Sequence, residues 1–269
     1  MTTILEAIVL GIIQGLTEFL PISSSGHLIL AEWATGWKGE LMNNLTFDVA
    51  LHVGTLAAVL WYFWRDWLHL GKAALRVVQG RAQVYEARLV WYIVLATVPA
   101  VIFGLAFEHT VETIFRNPVL VAGALAFGSL LMWLADRYSS RNRHLADMTL
   151  GHALFVGVSQ ALALVPGISR SGITISAALA AGYRREDSAR FSFLLSTPVI
   201  AGAAIHKVRH ITFQGHAAWG CTLGTLSSAI VGYLAIRFLI RYLERHSLNV
   251  FVWYRLALAA LVVLAWAVK

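Results

Sequence analysis

The sequence predicts an all-α integral membrane protein in which six transmembrane helices accompany two re-entrant helix-loop-helix hairpins, related as an inverted-topology repeat. Three observations carry that prediction: a scarcity of charge, the length of the apolar runs, and a self-similarity at a fixed offset. Of 269 residues, 58% are hydrophobic and 13% charged, against about 25% charged in a typical globular chain. Too little polar material remains to coat a water-soluble surface, and the charges gather in short segments between apolar stretches.

A helix needs about 20 apolar residues to cross about 30 Å of hydrocarbon. Residues 89–107 and 117–135 meet that requirement, and 210–236 contain a third span; 49–64, 191–205 and 249–268 are shorter or, in the last case, interrupted once by Arg255. Met1 to Leu5 hold no Lys or Arg and Glu6 precedes the apolar run, unlike a secretory signal, so the first segment is expected to stay in the fold. Cys221, the one cysteine, reads as small apolar filler and excludes an intramolecular disulfide. The net charge of +7 does not imply nucleic acid, because the basic residues flank apolar spans, where they report orientation.

Shifted by 146 positions, the chain matches itself. Gly11, Gln14, Leu16, Ile22, Ser23, Ser25, Gly26 and Ile29 fall on Gly157, Gln160, Leu162, Ile168, Ser169, Ser171, Gly172 and Ile175, and the register continues from Phe47 and Val53 onto Phe193 and Val199. The expected organisation is one membrane domain, residues 1–269, with repeats of about 1–136 and 147–269. Each repeat contains a break that a continuous span avoids: Pro21 before Ser23, Ser24, Ser25 and Gly26, and Pro166-Gly167 before Ser169, Arg170, Ser171 and Gly172. Broken backbone survives at membrane depth only where protein or a water-filled cavity satisfies it, which is why these segments read as re-entrant hairpins.

Lys and Arg concentrate on the cytoplasmic side. Residues 65–88, read as a loop with Arg65, Lys72, Arg76, Arg81 and Arg88, are therefore expected inside, together with Arg137, Arg141 and Arg143, with Arg184, Arg185 and Arg190, and with Arg237, Arg241 and Arg245. Residues 32–48, with Lys38, and 108–116, with Arg116, are expected outside; Lys207 and Arg209 violate the count. The repeat-mates 32–48 and 178–194 then face opposite sides, as inverted topology requires, and both termini fall outside the cytoplasm.

Gln14 and Glu18 lie four apart, on one helical face. Beyond them follow the hydroxyls of Ser23, Ser24 and Ser25, then Gly26 and His27, while Arg170 occupies the position equivalent to Ser24. Ionisable groups at membrane depth are costly and mark function. A guanidinium suits phosphate oxygens, and glycine-containing turns entering helix N-termini, here Ser25-Gly26 and Ser169 to Gly172, present N–H groups to anions. The collection suits a phosphate. Against this stand blander readings: serines that merely pack helices, Glu18 and Arg170 as a buried ion pair, and Gln14 with Gln160 as polar glue between the hairpins. His52 and His152 read as satisfied structural groups and the remaining histidines as loop residues.

The segments QGLTEFLPISSSGH at 14–27 and QALALVPGISRSGIT at 160–174, with TFDVALHVGTLAAV from Thr46 and REDSARFSFLLSTPVIAGA from Arg185, resemble those of the undecaprenyl-diphosphate phosphatase family, the bacitracin-resistance type. The resemblance covers nearly the whole chain. It implies a multi-pass enzyme of the bacterial inner membrane that converts undecaprenyl diphosphate to the monophosphate, recycling the lipid carrier for peptidoglycan synthesis. It also implies an inverted-repeat fold, a site open to the periplasm and a divalent cation, Mg2+ or Ca2+. By position, Glu18 matches the family's essential acidic residue, Ser24 and His27 its catalytic serine and histidine, and Arg170 its diphosphate-binding arginine; Ser25 and Ser169 match supporting hydroxyls. Gln14 stands where many relatives have a first glutamate, so a mechanism that needs two carboxylates is in doubt and Glu18 is the carboxylate expected near the metal. The expected chemistry is attack by Ser24 on the terminal phosphorus with His27 moving the proton; attack by His27, or by water activated at Glu18, stays open. The partners are the lipid diphosphate and membrane lipid, a homodimer is compatible with the sequence, and the alternative function is a polyprenyl-phosphate carrier or flippase.

Overall fold

The computed structural model describes residues 2–35, 45–78, 85–114, 117–208 and 217–268. Lys38, Arg81, Arg116, Arg209, His210 and His216 lie outside the described residues. The regular structure is helical: α1 (Thr2–Phe19), α2 (Ser24–Thr35), α3 (Leu45–Tyr62), α4 (Trp64–Val78), α5 (Tyr85–Ile114), α6 (Pro118–Tyr138), α7 (Leu150–Ser159), α8 (Arg170–Ala180), α9 (Arg185–Val208), α10 (Ala217–Leu243) and α11 (Asn249–Val268). Local chemistry sets several boundaries. Asn117 accepts from Val119 N at 2.8 Å to open α6, with Pro118 in the first turn, where its missing N–H costs nothing. Thr149 does the same for α7 through His152 N.

Among the described residues, five stretches are long and apolar enough to cross a bilayer: Ala87–Phe107, Pro118–Tyr138, Arg185–Ile205, Trp219–Leu243 and Asn249–Val268. A sixth exists only if the bent pair Phe47–Tyr62 and Trp64–Arg76 counts as one span, and the two helices meet at 76°. The loop expected at 65–88 is thus largely helical. α4 is amphipathic: Leu70 and Ala73 are buried while Lys72 and Arg76 on the other face are exposed, so its basic residues ride on a helix rather than interrupting one.

α10 runs between α1 and α3. Gly11 and Gly15 of α1 permit that approach, because a Cβ on them would stand 2.0 Å from Ser227 Oγ and 2.7 Å from the Ser228 carbonyl oxygen. Small residues four apart let helices close to backbone distance where no hydrophobic force drives them together. The contact on the α3 side is sealed by hydroxyls, Ser228 Oγ donating to Leu51 O and Thr225 Oγ1 to Ala50 O, each at 2.9 Å. The core gathers Phe19, Phe63, Phe191 and Phe193, with Phe19 edge-on to Phe193 at 5.5 Å.

One end of the bundle collects the segments that the sequence places on the cytoplasmic side. Asp136 at the end of α6 accepts from Arg185 Nε at 2.5 Å and from Leu248 N at 2.9 Å, joining α6, the start of α9 and the turn before α11. Arg143 pairs through backbone with Gly182 and Arg184, and Arg190 ion-pairs with Asp66 at the start of α4. The basic segments that sequence reading groups together therefore converge in space.

Candidate functional site

α1 ends at Phe19 because Leu20-Pro21 cannot continue it, and the chain turns through Ser23 at φ 77° before α2 begins at Ser24. The second hairpin repeats the device. α7 passes into a 3-10 turn at Gln160–Leu164, Gly167 takes φ 104°, and Ser169 at φ 75° precedes α8, which begins at Arg170. A non-glycine residue in the left-handed region costs on the order of 1–3 kcal/mol and persists only where its surroundings enforce it. Here the enforcement is the same in both: Ser23 Oγ accepts from Gly26 N at 3.3 Å and Ser169 Oγ from Gly172 N at 3.2 Å, while each contacts the serine two residues on, Ser25 or Ser171. The repeat seen in the letters is a repeat of backbone geometry.

The two loops also hold each other. Gly167 N donates to Ser23 Oγ at 3.1 Å, and Ser171 Oγ donates to the carbonyl of Leu20 at 3.1 Å. Gly26 packs against the second loop, since a Cβ there would lie 3.4 Å from Gly167 Cα.

Between them lies a cavity of about 150 Å³ lined by Glu18, Ser24, Ser25, Ser169, Arg170 and, among others, His52. Arg170 Nη2 donates to Glu18 Oε1 at 2.8 Å, and Ser24 Oγ donates to Glu18 Oε2 at 2.8 Å. Gln14 Nε2 reaches the same Oε2 at 3.1 Å, as their spacing in α1 predicts. The expected convergence of Glu18, Ser24 and Arg170 therefore exists across the hairpins. α2 and α8 start at this cavity, so two positive macrodipole ends and one guanidinium face a polar gap. Arg170 Nη1 is buried and has no hydrogen-bond partner among the described residues. A buried guanidinium N–H that faces a polar cavity without an acceptor is suited to an anion's oxygen.

His27 is placed elsewhere. Its Nδ1 donates to the Ser23 carbonyl at 2.7 Å, and since a carbonyl only accepts, the neutral ring presents Nε2 as an acceptor, which the Tyr254 hydroxyl fills at 2.7 Å. The ring stacks on Tyr254 with centroids 5.7 Å apart. It lines an apolar groove of about 650 Å³ with Leu16, Leu20, Phe251 and Leu258 rather than the small cavity. The expected Ser24–His27 partnership is therefore not formed in this arrangement: Ser24 is engaged by Glu18 and His27 by α11. Thr17 lines both spaces.

The expected amide bridge between the hairpins is absent as well. Gln14 turns to Glu18, while Gln160, at the end of α7 where the helix tightens, is buried with neither amide atom partnered among the described residues. A 3-10 turn rotates side chains differently from an α-helix, so residues equivalent in sequence face different ways.

Three residues that carry the geometry escape a reading by pattern. His52 reaches the cavity from α3, its Nδ1 hydrogen-bonded to Asp48 O at 2.8 Å, which fixes the orientation of a ring that lines the same space as Glu18 and Arg170. Tyr254 holds His27, and Arg255, which looks like a mere interruption of a span, is fully buried against both loops. The only signal for these was position: each is a polar group in the middle of an apolar run.

The comparisons with known proteins place the chain in a family. The family model described as bacitracin resistance protein BacA matches residues 7–261. Proteins named undecaprenyl-diphosphatase are similar along their whole length: one from Moorella thermoacetica is 49% identical over 261 residues, 97% of each chain. One from Desulforudis audaxviator is 49% identical over 258 residues, 96% of each, and one from Elusimicrobium minutum is 42% identical over 268 residues, 99% of this chain and 100% of its own. With the family model spanning nearly all of the sequence and such relatives matching end to end, the chain belongs to the bacitracin resistance protein BacA family.

Proposed function

We propose that this multi-pass membrane protein hydrolyses undecaprenyl diphosphate to undecaprenyl phosphate and inorganic phosphate, recycling the lipid carrier for peptidoglycan synthesis. The observation that carries the reading is the meeting of Glu18, Ser24 and Arg170 in one cavity between two helix N-termini. The relatives' names supply the substrate.

In the free site the Arg170 guanidinium neutralises Glu18. An arriving diphosphate competes for Arg170 and draws it toward the anion, freeing the carboxylate that already accepts from Ser24 Oγ. Glu18 then takes the hydroxyl proton as Ser24 Oγ bonds to the terminal phosphorus. The bridging P–O bond breaks and undecaprenyl phosphate leaves; water then cleaves the phosphoserine bond, releasing phosphate. Nucleophile and base at 2.8 Å satisfy the geometric requirement for such a transfer. Ser25, Gly26, Ser171 and Gly172 shape the loops around the anion. His27 takes a part only if its ring leaves Tyr254, and a trapped phosphohistidine would reveal attack by that ring.

A divalent cation fits the donor set. Glu18 supplies one carboxylate and Gln14 Oε1 is a buried acceptor with no partner among the described residues, and Mg2+ is commonly held by one or two carboxylates together with substrate phosphates. Bound there, Mg2+ or Ca2+ would neutralise charge on the phosphate oxygens.

The proposal includes an orientation in the bacterial inner membrane: the α1–α2 and α7–α8 hairpins enter from opposite faces as an inverted repeat, the cavity opens to the periplasm, and both termini lie on that side. The decisive experiment is phosphate release from undecaprenyl diphosphate by the purified protein in detergent. Wild-type protein is expected to turn over, and Ser24→Ala and Arg170→Ala to lose at least about 100-fold in rate. Binding of the lipid diphosphate without phosphate release would favour the carrier or flippase instead.

A further inference from the structure

Arg255 is fully buried in α11, and its guanidinium donates to four backbone carbonyls on three elements. Nη1 reaches Pro21 O at 3.1 Å, and Nη2 reaches Gly167 O at 2.9 Å, Ile168 O at 3.0 Å and Leu125 O at 3.2 Å. It forms no ion pair among the described residues. A carbonyl-bound arginine in the middle of an apolar span is an expensive choice, and what it holds is specific. Pro21 lies two residues before Ser23; Gly167 and Ile168 immediately precede Ser169. Those serines are the two strained residues that launch α2 and α8.

Room is kept for the guanidinium from two sides. A Cβ at Gly128 of α6 would stand 2.4 Å from Nη2, and one at Gly172 of α8 would stand 3.0 Å from Nη1. A planar fork with donors in fixed directions can serve carbonyls from separate loops in one plane; an ammonium on a flexible stem cannot reproduce that set.

From this we infer that Arg255 is a positioning residue for the phosphatase reaction: it locks both strained loops at the spacing that puts Ser24 and Arg170 on the same diphosphate. It acts through the loops and does not touch the substrate. The inference rests on the site reading above.

The test compares Arg255→Met, Arg255→Lys and Gly128→Ala with wild type in the full-length protein, each checked for monodispersity and thermal midpoint. Three quantities are measured: kcat, KM, and equilibrium affinity for a non-hydrolysable methylene-diphosphonate analogue of the lipid. Arg255→Met is expected to lose about 100-fold in kcat, the cost of displacing reacting groups by about 1 Å, with analogue affinity falling far less. Arg255→Lys is expected to recover part of that loss. Gly128→Ala, whose Cβ would crowd both the guanidinium and, at 2.8 Å, the Ile168 carbonyl that it holds, perturbs the same clamp from its far side and is expected to reproduce the kcat defect more mildly. A folded Arg255→Met protein with kcat within about threefold of wild type would overturn the inference. So would a loss that vanishes once rate is expressed per analogue-binding site, since that pattern belongs to simple misfolding. Should Arg255→Met not fold, the other two variants decide by the same criteria. Ser24→Ala and Arg170→Ala run alongside: if they still turn over, the site reading fails, whereas normal Arg255 variants beside inactive Ser24 and Arg170 variants sink only the positioning role.

Discussion

The most informative residue contrast is between two histidines with the same backbone hydrogen bond. Both donate Nδ1 to a backbone carbonyl one turn back, His27 to Ser23 and His52 to Asp48, but His27 spends its acceptor nitrogen on Tyr254 while His52 brings its ring to the cavity. If proton movement at the cavity uses His52, His52→Gln is expected to lower kcat by 10²-fold or more, on the order of a general acid-base contribution, and to flatten the pH–rate profile. Tyr254→Phe separates the other possibility: it frees His27 Nε2, and a rate increase or unchanged rate in that variant marks the Tyr254 bond as dispensable. Steady-state rates across pH for both variants check these outcomes. Glu18, Ser24 and Arg170 were legible in the sequence because charge and hydroxyl clusters at membrane depth are rare and costly. Arg255 was not, since its partners are main-chain carbonyls, which leave no trace in side-chain letters, and His52 was hidden because i to i−4 capping of a helix carbonyl is also what an idle histidine does.

Among the elements, the helix breaks were foreseen in place, since Pro21 and Pro166-Gly167 leave the backbone no helical option. The bend after residues 49–64 was not. That run reads as a short apolar span, yet α3 gives way at Phe63 to α4 at 76°, because Trp64 onward trades a continuous apolar run for a two-faced one with Leu70 and Ala73 inward. Period, not composition, carried that information. The joint at Asp136 offers an element-scale prediction. Its carboxylate, 4% exposed, serves both Arg185 and Leu248 N, and Asp136→Ala leaves a guanidinium and an N–H without their acceptor. Breaking a buried pair from one side costs about 3–5 kcal/mol, so the thermal midpoint in detergent is expected to drop clearly while the KM of the remaining folded enzyme stays near wild type.

At the scale of the molecule, Asp66, Asp136, Arg143, Arg185 and Arg190 gather at one end, which makes the proposed orientation testable. Cysteines placed at exposed Lys72 and Arg141, in a chain with Cys221 replaced by serine, are expected to react with a membrane-impermeant maleimide only after the inner membrane is opened. A cysteine at Ser25, on the exposed rim of the cavity, is expected to react from the periplasmic side in intact spheroplasts. Reactivity in the reverse pattern would invert the assignment of faces. The helical class was readable from hydropathy, as were the apolar spans other than the bent one at residues 47–76. How the halves interlock was not, because the fastening is done by hydrogen bonds between segments 144 to 234 positions apart.

That separation bears on how the protein comes into being. A ribosome delivers α1 and α2 long before α7 and α8, and only then the helix whose buried guanidinium ties their carbonyls together. Until α11 has been inserted, Ser23 and Ser169 keep the hydrogen bonds of their own turns and those between the two loops, but lack the guanidinium that ties the loops' carbonyls together. On the positioning role inferred for Arg255, full competence is expected only once this last helix is in place.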